Sequence, residues 1–283
     1  MKNIEWTWKS FDGLEMFARG WLPDGQVKGA VCLVHGLGEH SGRYAHVGAA
    51  FTAAGYDLLA FDLRGHGKSA GPRGHTPSLD AYFKDIETFL RDAQTRFGSA
   101  PVFLYGHSLG GLLVLSYSLS NRTNPRGVIA SSPGLMSAIH DQKVKLAVAK
   151  LLGSVAPTVT LPSELVNEHI SRDSHVVEAY KNDPLVHDRI TTGFGKAGLQ
   201  ATDLAFARAA QFPVPLLIAY GSADPIAYPR GSEKFASLVP PARVTVKRYE
   251  GLYHEIHNEP EQAQVLKDYV AWLDAQVALD KSI

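Results

Sequence analysis

The sequence predicts an α/β protein in which helices flank both faces of a mostly parallel, eight-stranded sheet. Six short apolar runs alternate with helical stretches along the chain, and this alternation is typical of a parallel sheet. Most of these runs are continuously apolar, as expected for strands that are buried on both faces. A predicted hairpin at the N-terminus adds the remaining two strands.

Each predicted element depends on a local pattern. Trp6 and Trp8 alternate with polar residues, and an Asp12-Gly13 turn leads into a second strand over residues 14–21. The six apolar runs lie at residues 30–36, 56–62, 101–106, 127–132, 215–221 and 243–251. Between them, the pattern predicts helices at residues 44–54, 79–97, 109–120, 233–238 and 260–277.

The interval from residue 134 to residue 211 contains no strand-like run. Apolar residues at helical spacing predict a helix at residues 144–152, prolines follow at positions 157 and 162, and a further helix is predicted at residues 198–211. We therefore expect a helical cap, residues 134–211, inserted into one α/β core formed by residues 1–133 and 212–283. The apolar stripe of the first cap helix is expected to pack on the core, with contact to a membrane surface or to the substrate channel as the alternative.

Composition excludes several classes of protein. Among 283 residues, 28 Lys and Arg residues balance 28 Asp and Glu residues, so no basic surface for nucleic acid is indicated. Cys32 is the only cysteine, which excludes an internal disulfide and a cysteine-ligated zinc site. The first twenty residues lack an apolar signal segment, and no run reaches the ~18 residues of a membrane span. These features predict a soluble, cytoplasmic protein without a nucleic-acid partner.

The pattern Gly-x-Ser-x-Gly, which marks a nucleophilic serine at a sharp turn from a strand into a helix, occurs twice. Around Ser108 it follows the strand PVFLY and leads into the predicted helix GLLVLSYSLS. Around Ser69 it is followed by Pro72, Gly74 and Pro77, which disfavour a helix. Ser108 is therefore the candidate nucleophile, and Ser69 is predicted to be a loop residue.

Similar short patterns for nucleotides and metals do not fit. Gly67-Lys68-Ser69 ends like a phosphate-binding loop, but Asp62 stands where the earlier glycine is required. No helix follows the glycines near residue 65, as a dinucleotide site would need. His254 and His257 are three residues apart, whereas the zinc helix motif needs a spacing of four. We expect no metal and no organic cofactor.

A serine nucleophile needs a base, and the base needs an orienting acid. In α/β-hydrolases these residues follow the serine in the order acid, then histidine, each just beyond a strand. Asp224 follows the strand PLLIAYG and His254 follows the strand RVTVKRYEG, so both positions fit. The alternatives are that Asp224, which precedes a proline, is only a turn residue, and that His257 is the base.

The developing oxyanion needs two backbone N–H donors. One is expected from Leu109, directly after the nucleophile, and the other from Leu37 in the segment His35-Gly36-Leu37-Gly38 after the strand AVCLV. The alternative for Leu37 is an ordinary glycine-rich turn.

Six segments from about residue 30 to the C-terminal helix carry a family resemblance. They are HGLGEHSGRY (35–44), DLRGHGKSAGPRGH (62–75), GHSLGG (106–111), NDPLV (182–186), GSADPI (221–226) and YEGLYHEIHNEP (249–260). Together these segments resemble the monoacylglycerol lipases, which belong to the serine-hydrolase branch of the α/β-hydrolase fold. The cap between residues 137 and 171 matches least, so the substrate entrance is the part that the resemblance describes least.

The resemblance implies that Ser108, Asp224 and His254 form a catalytic triad, with Leu37 and Leu109 as oxyanion donors. It also implies that four residues line the glycerol end of the site. These residues are Glu39, Arg43, Tyr180 and His257. For Glu39 and Arg43, an ion pair that stabilises the loop is an equal alternative to substrate contact, and a structural role is also open for His257 and Tyr180.

We therefore expect an enzyme that hydrolyses monoacylglycerol to fatty acid and glycerol. Its partner is expected to be a lipid ester, with transient contact between the cap and a membrane surface. The first alternative is a general carboxylesterase or a lysophospholipase, for which Arg172, Lys181 and Arg189 supply cationic groups in the cap. The second is a non-catalytic binding protein on the same fold, which an intact Ser-Asp-His set disfavours.

Overall fold

The computed structural model describes residues 1–98, 101–138 and 151–280, and ten strands form its two sheets. They are β1 (Lys2–Lys9), β2 (Glu15–Leu22), β3 (Gly29–Val34), β4 (Tyr56–Phe61), β5 (Val102–His107), β6 (Val128–Ser131), β7 (Thr160–Pro162), β8 (Arg189–Thr191), β9 (Leu216–Gly221) and β10 (Val244–Tyr249). The large sheet has eight strands in the order β1-β2-β4-β3-β5-β6-β9-β10. Only the pairings of β2, with β1 and with β4, are antiparallel in it, so the predicted sheet is confirmed.

Helices cover both faces of the large sheet. Those with both ends in the described residues are α1 (Ala45–Ala53), α2 (Leu79–Phe97), α3 (Leu109–Ser118), α4 (Ser174–Asn182), α5 (Thr192–Arg208), α6 (Pro229–Leu238) and α7 (Gln262–Asp280). Side chains of α1 and α7 pack on one face, and those of α2, α3, α5 and α6 pack on the other. Strands β3, β4 and β9 are fully buried, as expected for apolar strands that are covered on both faces, and Asp57 of β4 is the charged exception.

Helix α6 begins four residues before its predicted start. Pro229 occupies the first turn, where the missing N–H of proline costs nothing, although the sequence Pro-Arg-Gly resembles a turn. Gly231, in the same turn, packs closely on Met136, where an added Cβ would lie 3.0 Å from the backbone nitrogen of Met136. The close approach of another segment, rather than a bend, therefore accounts for this glycine.

The prediction that residues 134–211 contain no strand is wrong. Strands β7 and β8 pair antiparallel, with Thr160 opposite Thr191. Each has only three residues, too few to show a period of two, and the partner lies about thirty residues away in the chain.

Two predicted cap helices have different outcomes. Most of the helix at residues 144–152 lies outside the described residues, although residues 151–155 are helical. The described Leu151 and Leu152 are exposed, 63% and 38% respectively, rather than packed on the core. The helix predicted at residues 198–211 corresponds to α5, which packs against α3 and α2 of the core. The division of the chain into core and cap remains a prediction.

The parallel strands all end at the same edge of the sheet. Residues 35–40 follow β3, Ser108 follows β5, Asp224 follows β9 and His254 follows β10. The fold therefore brings these loops to one place, as expected for a ligand site in an open α/β sheet. In the described part of the chain, no helix is both long enough and apolar enough to span a bilayer.

Candidate active site

Ser108 lies in a strained turn between β5 and α3. Its φ of 54° and ψ of −116° fall in a region that residues other than glycine rarely adopt. The glycines of the motif allow this turn because its backbone segments touch. A Cβ at Gly106 would lie 2.2 Å from the carbonyl oxygen of Gly110, and one at Gly110 would lie 1.9 Å from that of Val34.

Ser69 lies elsewhere, in the loop after β4. It is 4% exposed, its Oγ accepts the N–H of Phe17 at 2.9 Å, and its hydroxyl donates to the carbonyl of Asp62 at 2.6 Å. The first hydrogen bond joins the loop to β2 and the second closes the loop on its own start at Asp62, so the structure gives this serine a role in holding the loop.

A hydrogen-bonded chain joins Ser108, His254 and Asp224. The Nε2 atom of His254 lies 2.8 Å from the Oγ of Ser108, and Nδ1 lies 2.8 Å from the Oδ2 of Asp224. Because a carboxylate can only accept, Nδ1 carries the proton and Nε2 is left to accept one from the serine. The other oxygen of Asp224 accepts the N–H groups of Ile226 and Ala227, so this residue also shapes the turn before Pro225.

The surroundings of His254 determine its affinity for a proton. The imidazole is buried, which by itself lowers the pKa, but the Asp224 carboxylate outweighs burial and leaves the pKa of His254 above its usual value. The same carboxylate would stabilise the imidazolium that forms when the serine loses its proton.

The backbone N–H groups of Leu37 and Leu109 lie in the loops that flank Ser108. Within the described residues, neither N–H has a hydrogen-bond partner. Leu109 begins α3, where the N–H groups of the first turn are free to point at an anion. Two unpaired donors beside a serine suit the negative charge of a tetrahedral intermediate.

Contacts on both sides determine the shape of the loop that contains Leu37. The N–H of Gly36 donates to Glu39 Oε1 at 2.6 Å, and the carbonyl of Gly38 accepts the N–H of His187 at 2.9 Å. Gly38 has a φ of +75°, and a Cβ there would lie 2.4 Å from the carbonyl oxygen of His187. Only glycine therefore permits this approach of the cap.

Glu39, Arg43 and Glu255 form a buried ion cluster beside the loop. Arg43 donates to Glu39 at 2.8 Å and to both oxygens of Glu255 at 2.6 and 2.7 Å. The guanidinium lies over the ring of Tyr180, 4.6 Å from its centroid. Burial opposes ionisation of Glu255, but the charge and hydrogen bonds of Arg43, together with the hydrogen bond from Asn258, outweigh burial and hold the pKa of Glu255 below its usual value.

His257 is buried next to the same cluster. Its ring stacks on Tyr44 at 4.9 Å and packs edge-on against His107 at 4.7 Å. Neither ring nitrogen of His257 has a hydrogen-bond partner in the described part of the chain. Burial lowers the pKa of His257 to about 3, so the ring is neutral at ordinary pH. Its carbonyl oxygen accepts from His46 at 2.8 Å.

Nothing in the sequence indicated a site role for Glu255 or Tyr44. Glu255 directly follows His254, and Tyr44 ends the segment HGLGEHSGRY, but neither position indicates a partner. Glu255 pairs with Arg43 across 212 residues, and Tyr44 donates to Glu39 at 2.7 Å. In residues 1–98, 101–138 and 151–280, no three His, Cys, Asp or Glu side chains are placed to hold a metal ion.

The strained serine at the turn from a central strand into a helix, on this order of strands, places the protein in the α/β-hydrolase class. Residues 25–261 match the family model described as serine aminopeptidase, S33. A monoacylglycerol lipase of Mycolicibacterium smegmatis is 36% identical over 270 residues, which are 95% of this chain and 96% of that protein. The chain thus belongs to the S33 family and, within it, to the monoacylglycerol lipase family, which confirms the resemblance seen in its motifs.

Two further proteins are similar to this chain. The crystal structure of a monoacylglycerol lipase from Paleococcus ferrophilus superimposes with a TM-score of 0.83 at 34% identity, and covers 98% of this chain and 100% of that one. An abhydrolase domain-containing protein of Dictyostelium discoideum is 40% identical over 261 residues, 92% of this chain. This chain spans only 28% of the length of that relative.

Proposed function

We propose that the protein is a serine hydrolase that cleaves monoacylglycerol into fatty acid and glycerol. The hydrogen-bonded chain from Ser108 through His254 to Asp224 is the observation that carries the proposal. The names of the relatives from Mycolicibacterium smegmatis and Paleococcus ferrophilus support the choice of substrate.

In the first half of the reaction, Ser108 attacks the ester carbonyl while His254 Nε2 takes the hydroxyl proton. The N–H groups of Leu37 and Leu109 stabilise the oxyanion, and Asp224 stabilises the imidazolium. His254 then returns the proton to the leaving glycerol oxygen, and the acyl group remains on Ser108.

In the second half, His254 takes a proton from water, which attacks the acyl-enzyme and releases the fatty acid. His254 finally gives the proton back to Ser108. Because these residues and water supply every proton, the scheme needs neither a metal nor an organic cofactor.

We assign different roles to the four residues that the resemblance places at the glycerol end of the site. Both oxygens of Glu39 are occupied by groups of the protein, which supports a role in stabilising the loop. Arg43 and Tyr180 stack on each other beside the loop of Leu37 and are proposed to line the glycerol end. His257 is fully buried, and it keeps two unpaired nitrogens that can serve a polyol only if the site opens.

The cap is proposed to contact a lipid surface transiently. Several of its apolar side chains are exposed, and they lie in a short stretch of the chain. They are Leu151, Leu152, Val155, Val159, Leu161 and Val166. Such a patch gains free energy on leaving water, and a monoacylglycerol is itself held in a lipid surface.

A lysophospholipid is the second candidate substrate, and ion pairs already occupy two of the three cationic residues that the cap offers to it. Its phosphodiester would require free cationic groups near the entrance. Arg172 pairs with Glu259 and Glu261, and Lys181 pairs with Glu168. Arg189 has no ion pair within the described residues, so it is the cationic group of the three that remains for a phosphodiester.

A hydrolysis panel tests the proposed function. It compares monoacylglycerols of several chain lengths, lysophosphatidylcholine with the same acyl groups, and short p-nitrophenyl esters. We expect the highest kcat/KM for a monoacylglycerol. A higher value for the lysophospholipid would overturn the substrate, and absence of all ester hydrolysis would overturn the chemistry.

A further inference from the structure

A short segment of the cap, residues 170–172, is fastened to the loop that carries His254. We call residues 253–259 the histidine loop. The N–H of Glu255 donates to the carbonyl of Ile170 at 2.7 Å, and the hydroxyl of Ser171 donates to the carbonyl of Asn258 at 3.1 Å. The cap and the catalytic histidine therefore meet at a continuous hydrogen-bonded contact.

The carboxylate of Glu259 lies at the centre of this contact. It is fully buried and receives N–H donors from two directions. From the cap, Arg172 donates its Nε–H to Oε2 at 3.0 Å and its backbone N–H to the same carboxylate at 3.3 to 3.4 Å. From the histidine loop, Tyr253 donates its N–H to Oε1 at 2.8 Å.

Tyr253 is the residue directly before His254. A donor held at this position restrains the backbone from which the imidazole extends, and a buried carboxylate makes stronger hydrogen bonds than a neutral acceptor. Glu259 has no recorded contact with Ser108, Asp224 or the imidazole itself in the described residues. The hydrogen bond to Tyr253 therefore links Glu259 to the reaction through the backbone of the histidine loop.

We propose that Glu259 is a positioning residue which, held by Arg172 of the cap, keeps His254 in reach of both Ser108 and Asp224. This inference rests on the proposed serine-hydrolase function. The cap thereby acts on the catalytic base as well as on the substrate entrance. A displacement of about 1 Å in a reacting group can cost about 10²-fold in rate, so a small shift of this loop is enough to matter.

Two substitutions separate the proposed contacts. Glu259→Gln keeps an oxygen for Tyr253 but turns an amide toward Arg172, and Glu259→Leu removes both interactions. The matched control is Glu261→Gln, because Glu261 binds the same arginine at an exposed position and has no hydrogen bond to the histidine loop. Circular dichroism and Tm establish which variants are folded.

Two measurements use probes without glycerol, so that their outcome does not depend on the identity of the natural substrate. One is kcat and KM for p-nitrophenyl butyrate, and the other is the rate at which a fluorophosphonate labels Ser108. Failure of the wild-type enzyme to react with either probe would contradict the proposed function instead of this inference.

We expect kcat and the labelling rate to fall about tenfold in Glu259→Gln and about 10²-fold in Glu259→Leu, with KM changed less than about threefold. Glu261→Gln should match the wild type. If Glu259→Leu does not fold, Glu259→Gln alone decides the question. A labelling rate equal to that of the control in folded Glu259→Gln, or a raised KM with unchanged kcat, would overturn the proposal.

Discussion

The carboxylate of Glu39 accepts the backbone N–H of Gly36 at 2.6 Å, one residue before Leu37. Glu39 is 2% exposed, and Arg43 and Tyr44 hold it from the other side. The loop that contains Leu37, which we call the oxyanion loop, is thus supported by the buried carboxylate of Glu39, and Arg43 compensates the charge of that carboxylate. An isolated carboxylate in this position would be costly to bury.

Glu39→Ala should lower kcat for a short ester by up to about 10²-fold while KM changes little, because the loop loses the contact that holds its N–H donor. Glu39→Gln, which retains an acceptor for Gly36, should lose less. Steady-state kinetics with p-nitrophenyl butyrate check the order of the variants. Equal kcat values for all three proteins would show that the loop holds its shape without Glu39.

Ser108→Ala should abolish ester hydrolysis and labelling by a fluorophosphonate while the protein remains folded. Ser69→Ala is the matched control, because Ser69 lies in the same sequence motif as Ser108 but its hydroxyl holds a loop in place. We expect it to lower the free energy of unfolding by ~1–3 kcal/mol, since the N–H of Phe17 loses its acceptor, and to remain fully labelled. Peptide mapping of the labelled protein identifies the serine, and a label on Ser69 would refute the assignment.

The acid limb of the kcat/KM profile should have its midpoint above ~6.5, the ordinary pKa of histidine. The imidazole of His254 must be neutral to accept the serine proton, and Asp224 keeps it protonated to a higher pH. Asp224→Asn should lower kcat by up to ~10⁴-fold and move the limb to lower pH, because burial then opposes protonation of His254 without the Asp224 carboxylate, and only the more distant Glu255 and Glu39 still favour it. If the acid limb had the same midpoint in Asp224→Asn as in the wild type, a group other than His254 would determine it.

His257→Ala should selectively weaken turnover of a monoacylglycerol. The comparison is the ratio of kcat/KM for a monoacylglycerol and for a methyl ester with the same acyl chain, in wild type and variant. If the ring serves a glycerol hydroxyl, the ratio should fall by the equivalent of ~1–3 kcal/mol, the cost of one unpaired buried polar group. The rate of acyl-enzyme hydrolysis should not change. An unchanged ratio would mean that His257 only supports the catalytic loop.

Asp57→Asn should stabilise the protein at neutral pH. Asp57 is 3% exposed in β4, and burial raises the pKa of its carboxyl to about 6. The folded chain then binds this proton more tightly than the unfolded chain, where the pKa is ~3.9, so stability falls as the pH rises from about 4 to about 6. The variant should gain about 1–3 kcal/mol above this range and nothing below it.

Urea unfolding of wild type and Asp57→Asn at pH 4 and pH 7.5 measures the difference. A gain of equal size at both pH values would show that the effect does not come from ionisation.

The sequence by itself determined the elements whose cause is local. These elements depend on neighbouring residues alone. They are the apolar runs buried on both faces, the serine between two glycines at the end of one such run, and the order in which Asp224 and His254 follow it. The choice of Ser108 over Ser69 was also possible, because the prolines after Ser69 are themselves part of the sequence.

Only the tertiary structure decided which groups distant in the sequence form ion pairs or hydrogen bonds. Arg43 meets Glu255 across 212 residues, and Arg172 meets Glu259 across 87. The pairing of Thr160 with Thr191 is of the same kind. Periodicity reports which face of an element is buried, whereas a contact between remote side chains depends on the path of the whole chain. For this reason the contacts of Arg43 with Glu255 and of Arg172 with Glu259 had no signal in the sequence, whereas the ion pair of Glu39 with Arg43, four residues apart, could be predicted as an alternative.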